Sequence, residues 1–249
     1  MATALAERAE APCAVCGESV ARIERGGMSL QPAVCDRCVE ERQRRQRVAN
    51  FRHHLLETGL DEGLWSYDQV LAPNPELLAW CLRHAGQWMW LGGPTGTGKT
   101  RAVARALVVH SWKQTHWPSA LWLPAALWVQ DLHGRQEEAR GRQHRQIELA
   151  RRVDILVFDD FGQEELSDHA RALLFGLLDH RYVRRLRTWF TSNASPAELV
   201  ERIGETRWPQ MLRRIRERGR FYTWIPGKGW VEEGAGEQAE GTRRWWEDL

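Results

Sequence analysis

No stretch of about 18 consecutive apolar residues occurs in the 249-residue chain, so no membrane-spanning helix is expected. The first residues, MATALAERAEAP, lack a basic segment followed by an apolar run, which argues against a secretory signal. Internal repeats are absent. Lysine is scarce: Lys99, Lys113 and Lys228 are three of 35 basic residues, and the other 32 are arginine. That bias reads as the mark of a GC-rich genome rather than of function. Hydrophobic content of 43% and charged content of 27% are those of a soluble globular protein, long enough for one sizeable core and a small module.

What charge there is lies unevenly. Net charge is only +2, yet RYVRRLR (181–187) carries four Arg and no acid, and residues 201–220 hold seven Arg against three Glu. The end, VEEGAGEQAEGTRRWWEDL, has six acids against two Arg and reads as a flexible acidic tail over 229–249. Arginine clustered on one face is the electrostatic footprint of a nucleic-acid partner, and 135–152 and 181–187 are the clusters expected to face DNA.

The middle of the chain alternates strand and helix signals. QWMWLGG (87–93) reads as a short apolar strand, and a helix follows from Lys99, with Val103, Ala106, Leu107 and His110 on one face, until Pro118. SALWLPA predicts a second strand, and 125–152 a long, interrupted helical region. VDILVFDD (153–160) reads as a strand buried on both faces of a parallel sheet. Leu173, Leu174, Leu177 and Leu178 share a helical face over 168–186, TWFTSN (188–193) is another strand, and Ser195, Pro196 and Glu198 signal a further helix start. This alternation predicts an α/β fold, a parallel sheet flanked by helices. Trp88, Trp90, Trp122 and Trp189 fall on strands and are expected in the core, as is Cys81.

Gly93-Pro94-Thr95-Gly96-Thr97-Gly98-Lys99-Thr100 fits the phosphate-loop pattern G-x-x-x-x-G-K-[ST] in full. The glycines let backbone N–H groups turn inward onto phosphate oxygens, and the following helix adds its positive end. Lys99 sets a charge against the β- and γ-phosphates of ATP, and the Thr100 hydroxyl ligates Mg²⁺. A carboxylate must complete the Mg²⁺ site, and Asp159-Asp160 closes an apolar strand 60 residues after Lys99. Strand alternation sends the two acids to opposite sides. Asp159 is then the Mg²⁺ partner through water, and Asp160 the group that polarises the attacking water. Asn193, ending the next strand, would orient water beside the γ-phosphate if that strand lies next to the acidic one. The adenine pocket is placed only by position, at WSYDQV (65–70).

Ahead of this lies Cys13-x-x-Cys16, 18 residues, then Cys35-x-x-Cys38. Two close pairs, each on a tight turn, can wrap Zn²⁺ tetrahedrally, and Gly17 and Gly26-Gly27 suit such knuckles. So short a segment has no core of its own, so metal would supply its folding energy. Disulfides conflict with the cytoplasmic location expected of a nucleotide-binding protein. The predicted layout is a zinc-binding module at 1–45, a basic helix and linker at 46–69 with helical signal over 40–58, an ATPase domain at 70–228, and the tail.

The phosphate loop, LVFDDFG, TSN and GETRWPQMLRRIRERGRFYTWIPG, in that order, resemble the AAA+ helicase loaders of bacteria and phages, the DnaC/DnaI-like group. Transposon-encoded IstB-like ATPases share the same core. The resemblance covers about residues 60–228. It implies an AAA+ P-loop NTPase without a helical lid domain, and a slow Mg²⁺-dependent ATPase stimulated by assembly or single-stranded DNA, Asp160 standing where many AAA+ proteins carry the longer Glu. It implies a loader of a hexameric DnaB-type replicative helicase, gripped by the front module, and self-association through an arginine finger in trans. Arg214 is the finger candidate, with Arg213 and Arg216 as fallbacks. The alternative is an IstB-like transposition accessory ATPase acting on DNA. A DNA-binding front module and a metabolite kinase are further readings, the second disfavoured by the missing lid.

Overall fold

The computed structural model describes residues 11–21, 23–25, 28–30, 32–65, 74–133, 137–163, 165–194, 198–203 and 207–234. The chain divides into two units, residues 1–54 and 55–249.

The first unit holds two short antiparallel pairs, β1 (Ala11–Pro12) with β2 (Ser19–Val20) and β3 (Ile23–Arg25) with β4 (Met28–Leu30), followed by most of helix α1 (Asp36–Glu57), whose last three residues belong to the second unit. The first cysteine pair sits in the turn between β1 and β2, where Gly17 takes a φ of 75°. The second does not sit in a comparable turn. Cys35 immediately precedes α1 and Cys38 lies in its first turn. The expected 45/46 boundary therefore falls inside a continuous helix, and Gly26-Gly27 lie outside the described residues.

Beyond the end of α1 the second unit continues with α2 (Glu62–Trp65) and α3 (Pro75–His84). Asn74 caps α3, its Oδ1 accepting from the N–H groups of Glu76 and Leu77, and Pro75 takes the first helical position, where no N–H is needed. Then follow β5 (Trp88–Gly92), α4 (Lys99–Trp112), β6 (Ala120–Pro124), α5 (Ala125–His133), α6 (Glu137–Arg152), β7 (Ile155–Asp159), α7 (Asp168–Val183), β8 (Arg187–Ser192), α8 (Glu198–Ile203), α9 (Trp208–Arg218), β9 (Gly219–Ile225) and β10 (Gly229–Gly234). Residues 195–197, with the expected cap, lie outside the described residues.

Six strands form one sheet in the order β10-β9-β5-β8-β7-β6, parallel except for the antiparallel β9–β10 pair. The chain leaves β5 for the far edge at β6, steps back through β7 to β8, and then crosses to β5's other side as β9. Strand order thus reverses at β5, where a crevice opens beyond the carboxyl ends of the strands. All five residues of β5 are buried. Around them Trp90, Phe158, Phe161, Phe190, Trp208 and Phe221 pack ring on ring, with Trp90 and Phe190 centroids 5.2 Å apart. Fully burying each such side chain contributes roughly 1.5–3 kcal/mol. Trp88, Trp90, Trp122, Trp189 and Cys81 are all core residues, as expected, and burial pushes the Cys81 thiol up to about 12.

Two expectations fail here. Residues 229–234, assigned to a tail, form β10, because Val231 and Trp230 pair across to Thr223 and Trp224. Among the described residues no helix follows β9. The second failure is Arg181, placed in a DNA-facing cluster but fully buried. Its guanidinium donates to the carbonyls of Ala150 (2.5 Å), Val153 (3.0 Å) and Arg187 (2.5 Å) and to Thr188 Oγ1 (3.0 Å), tying the end of α6 to the starts of β7 and β8. Those acceptors replace water, and burial lowers its pKa to about 9.

Candidate functional site

The loop between β5 and α4 crosses the strand-order reversal. Gly98 precedes α4 with φ of 87°, a left-handed conformation that suits glycine, and no side chain caps the helix. The first N–H groups of α4 are therefore left for a ligand anion, and the helix dipole adds to their pull. Lys99 is the first residue of α4 and only 6% exposed. Its ammonium spends its three hydrogens on Gly93 O (2.7 Å), Pro94 O (2.9 Å) and Asn193 Oδ1 (2.8 Å). Burial lowers its pKa, while Asp160 and Asp159 pull the other way.

β8 lies between β5 and β7, so Asn193, immediately after β8, lands beside the loop on one hand and the acids on the other. Its amide nitrogen donates to Asp160 Oδ1 at 2.5 Å while its oxygen takes Lys99. Asn193 is thus a bridge between the phosphate-loop cation and the second acid. Asp159 closes β7, and its Oδ1 accepts from Thr100 Oγ1 (2.9 Å) and Thr191 Oγ1 (2.6 Å). Burial raises the Asp159 pKa, opposed by those two hydroxyls.

The two acids do part company, but not through strand alternation. Asp160 lies past the end of β7 with φ of 58°, a conformation that costs a non-glycine residue roughly 1–3 kcal/mol. The surroundings hold it there. Its N–H donates to Thr191 Oγ1 (2.8 Å), and Gln163 Nε2 donates to its Oδ1 (2.9 Å). Thr191 therefore serves both acids through one buried hydroxyl. Neither Thr191 nor Gln163 was expected from the sequence; the one available signal was a pair of hydroxyl residues, Thr191 and Ser192, closing the buried strand after Trp189 and Phe190.

A carboxylate and a hydroxyl 2.9 Å apart, next to an uncapped helix start, suit Mg²⁺ bound with a triphosphate. The profile of the IstB-like ATP binding protein family matches residues 24–215, well over half of the chain. The chain belongs to that family. This IstB-like protein also shares its fold with solved structures. It matches a DnaC helicase loader with TM-score 0.51 and 21% identity, over 66% of this chain and 99% of that one. It matches DnaI with TM-score 0.52 and 20% identity, over 65% of this chain and 92% of the other. No curated protein matches it. The IstB-like chain is thus an ATP-binding P-loop protein of AAA+ fold.

The finger candidates of this IstB-like chain lie on α9. Arg214 forms an ion pair with Asp179 of α7 and lies over the Tyr182 ring, 5.5 Å from its centroid. Arg213 pairs with Glu217 at 3.5 Å, and Arg216 lies 5.3 Å from the Phe221 ring centroid. None of these partners belongs to the phosphate loop. A cleft of about 550 Å³ is lined by Glu148, Arg151 and Arg152 of α6, His180 of α7, and Arg184 and Leu186 beyond it. Burial first, then Arg151 and Arg184, lower the His180 pKa. Of WSYDQV, residues 66–70 lie outside the described residues.

In the first unit the four cysteine sulfurs lie within 4.8 Å of one another. Tetrahedral Zn–S bonds of about 2.3 Å set sulfurs roughly 3.8 Å apart, so the cluster has the dimensions of a Cys₄ site. Cys13 Sγ accepts from the N–H groups of Val15 (3.4 Å) and Cys35 (3.3 Å), and such backbone bonds lower its pKa to about 6. These are contacts that favour thiolate, the form that binds metal. Among the described residues no helix is long and apolar enough to cross a membrane.

Proposed function

We propose that this protein is an ATP-dependent loader of a hexameric replicative DNA helicase, with ATP binding and hydrolysis acting as an assembly switch. One observation carries the switch: Asn193 links Lys99 directly to Asp160. Any γ-phosphate that draws Lys99 off Asn193 frees the amide that holds Asp160, so phosphate occupancy is coupled to the water-polarising acid. Lys99 and the first N–H groups of α4 bind the β- and γ-phosphates. Asp160, still held by Gln163 and through its N–H by Thr191, takes the attacking water. Thr100 and Asp159 would hold Mg²⁺, which would supply positive charge against the phosphates. Arg214, released from Asp179, reaches the ATP of a neighbouring copy, so hydrolysis depends on assembly.

The loader assignment draws on the fold shared with DnaC and DnaI. The first unit supplies the grip on the helicase, folded around Zn²⁺ on Cys13, Cys16, Cys35 and Cys38. Single-stranded DNA is the other partner, its phosphates neutralised by Arg151, Arg152 and Arg184, where the two basic tracts converge on one cleft. The family match favours a second reading, an accessory ATPase that remodels target DNA for a transposase.

Affinity capture separates the two. The full chain with ATP should co-elute with a DnaB-type helicase and not with a transposase, and deletion of residues 1–45 should abolish this. The reverse pattern would establish the transposition reading. Asp160→Asn should keep ATP binding and lose turnover; normal turnover in that variant would remove Asp160 from the chemistry.

A further inference from the structure

The hairpin β9–β10 brings two tryptophans to the phosphate loop. Thr223 of β9 pairs with Gly92 of β5, so Trp224 emerges level with Gly93, the first residue of the loop. A Cβ on Gly93 would lie 2.8 Å from Trp224 Cβ and 3.1 Å from Trp230 Cη2. Glycine is required there because the Trp224 Cβ and the Trp230 indole occupy the space. Trp230 pairs with Trp224 across the hairpin and meets it edge to face, centroids 5.7 Å apart.

Those rings are held from behind. Trp230 stacks on Tyr222 (5.2 Å), Tyr222 stacks on Trp80 of α3 (5.0 Å, 8° between planes), and the Tyr222 hydroxyl donates to Glu76 Oε1 at 2.5 Å. Trp80 and Tyr222 are buried, yet Trp224 is 38% exposed and Trp230 partly so. The two indoles thus offer an accessible aromatic surface backed by buried rings, directly beside the first residue of the loop. The loop's other end lies near the same helix, since a Cβ on Gly98 would approach Asn74, the cap of α3, to 3.9 Å.

Direction settles what that surface meets. Lys99, Asn193, Asp160, Asp159 and Thr100 place the terminal phosphates toward β8 and β7. The rest of a nucleotide must leave the loop on the other hand, toward β9, where the tryptophans stand. We infer that Trp224 and Trp230 form the wall on which the adenine base of bound ATP stacks. This rests on the ATP-binding reading of the loop. An indole face suits any purine, and it contributes base affinity without touching the phosphates.

The test compares ATP with inorganic tripolyphosphate, which has the charges and no base. Calorimetric affinities are measured on the full-length protein, on Trp230→Leu, Trp224→Leu and Trp230→Phe, and on Lys99→Ala. Loss of one base–indole stack corresponds to roughly 5- to 150-fold in affinity. ATP should weaken by that factor in both Leu variants, recover in Trp230→Phe, and tripolyphosphate should bind all three as it binds the parent. Unchanged ATP affinity in the Leu variants overturns the inference, and so does parallel weakening of both ligands, which would make the rings a buttress for the loop. If Trp230→Leu does not fold, Trp224→Leu, at the more exposed ring, decides alone. Retention of both ligands by Lys99→Ala would sink the phosphate-loop reading instead, whatever the tryptophans do.

Discussion

Thr191→Val is the substitution that probes the site's construction most sharply. The residue is 1% exposed, so valine enters the same space with one methyl in place of the hydroxyl. That hydroxyl donates to the Asp159 carboxylate at 2.6 Å and accepts the Asp160 N–H at 2.8 Å. Losing a charge-assisted bond costs roughly 1.5–3 kcal/mol, and leaving the partly buried N–H unpaired costs roughly 1–3 kcal/mol more. The added methyl returns about 0.8 kcal/mol. The expected net loss is about 2–5 kcal/mol, read as a lowered urea midpoint at unchanged m-value. Asp160, no longer held in its left-handed conformation, should relax away from Asn193. Turnover should then fall while tripolyphosphate binding through Lys99 persists, and Thr191→Ser should restore both stability and turnover. Stability within about 0.5 kcal/mol of the parent, with full turnover, would refute the assignment of Thr191 as the shared anchor of the two acids.

The Asp159 carboxyl is pushed above the usual aspartate range by burial, so the folded chain holds that proton to higher pH than the unfolded chain does. Its contribution to stability is complete below the unfolded aspartate pKa and is lost as pH rises through the folded value. Mg²⁺ needs the carboxylate, so the acid limb of Mg²⁺ binding should lie above the ordinary aspartate range and vanish in Asp159→Asn; metal titrations at several pH values check this. Arg181→Leu should destabilise by about 3 kcal/mol or more, leaving three carbonyls without their buried donor, yet leave the salt dependence of single-stranded DNA binding unchanged. By contrast, replacing Arg151, Arg152 and Arg184 with Ala should reduce that slope by about 2, at roughly 0.7 per contact. Elemental analysis should find one zinc per chain, and Cys13→Ser should lose both the metal and the fold of residues 11–54; a metal-free chain that still protects those amides from exchange would remove the zinc argument.

The nucleotide site was legible in the sequence because its chemistry is local. Gly93 to Thr100 is one contiguous stretch from loop into helix, Asp159 ends β7, and Asp160 and Asn193 directly follow strands whose apolar runs mark their limits. Their neighbours were harder to see. Thr191 acts through contacts with residues 31 and 32 positions away, and nothing within its own strand announces them. The divergence of Asp159 and Asp160 was expected from strand alternation, but it arises because the chain turns left-handed at Asp160 rather than continuing as a strand. Arg181 is the converse case, a charge whose burial depends on carbonyls from three other segments. The hairpin was missed because residues from 229 onward were read as an acidic tail, whereas Gly227 and Gly229 take the positive φ values of a turn (78° and 77°) that leads into β10.

Mixing two inactive variants tests the central claim, that ATP held by one copy is hydrolysed with help from the next. Arg214→Ala keeps an intact phosphate loop, and Lys99→Ala keeps the finger. Combined with DNA and Mg²⁺ present, they should recover part of the ATPase activity that each lacks alone, with a steep dependence on total protein. An equimolar mixture as inactive as its components, from chains that remain monomeric with ATP bound, would contradict the account.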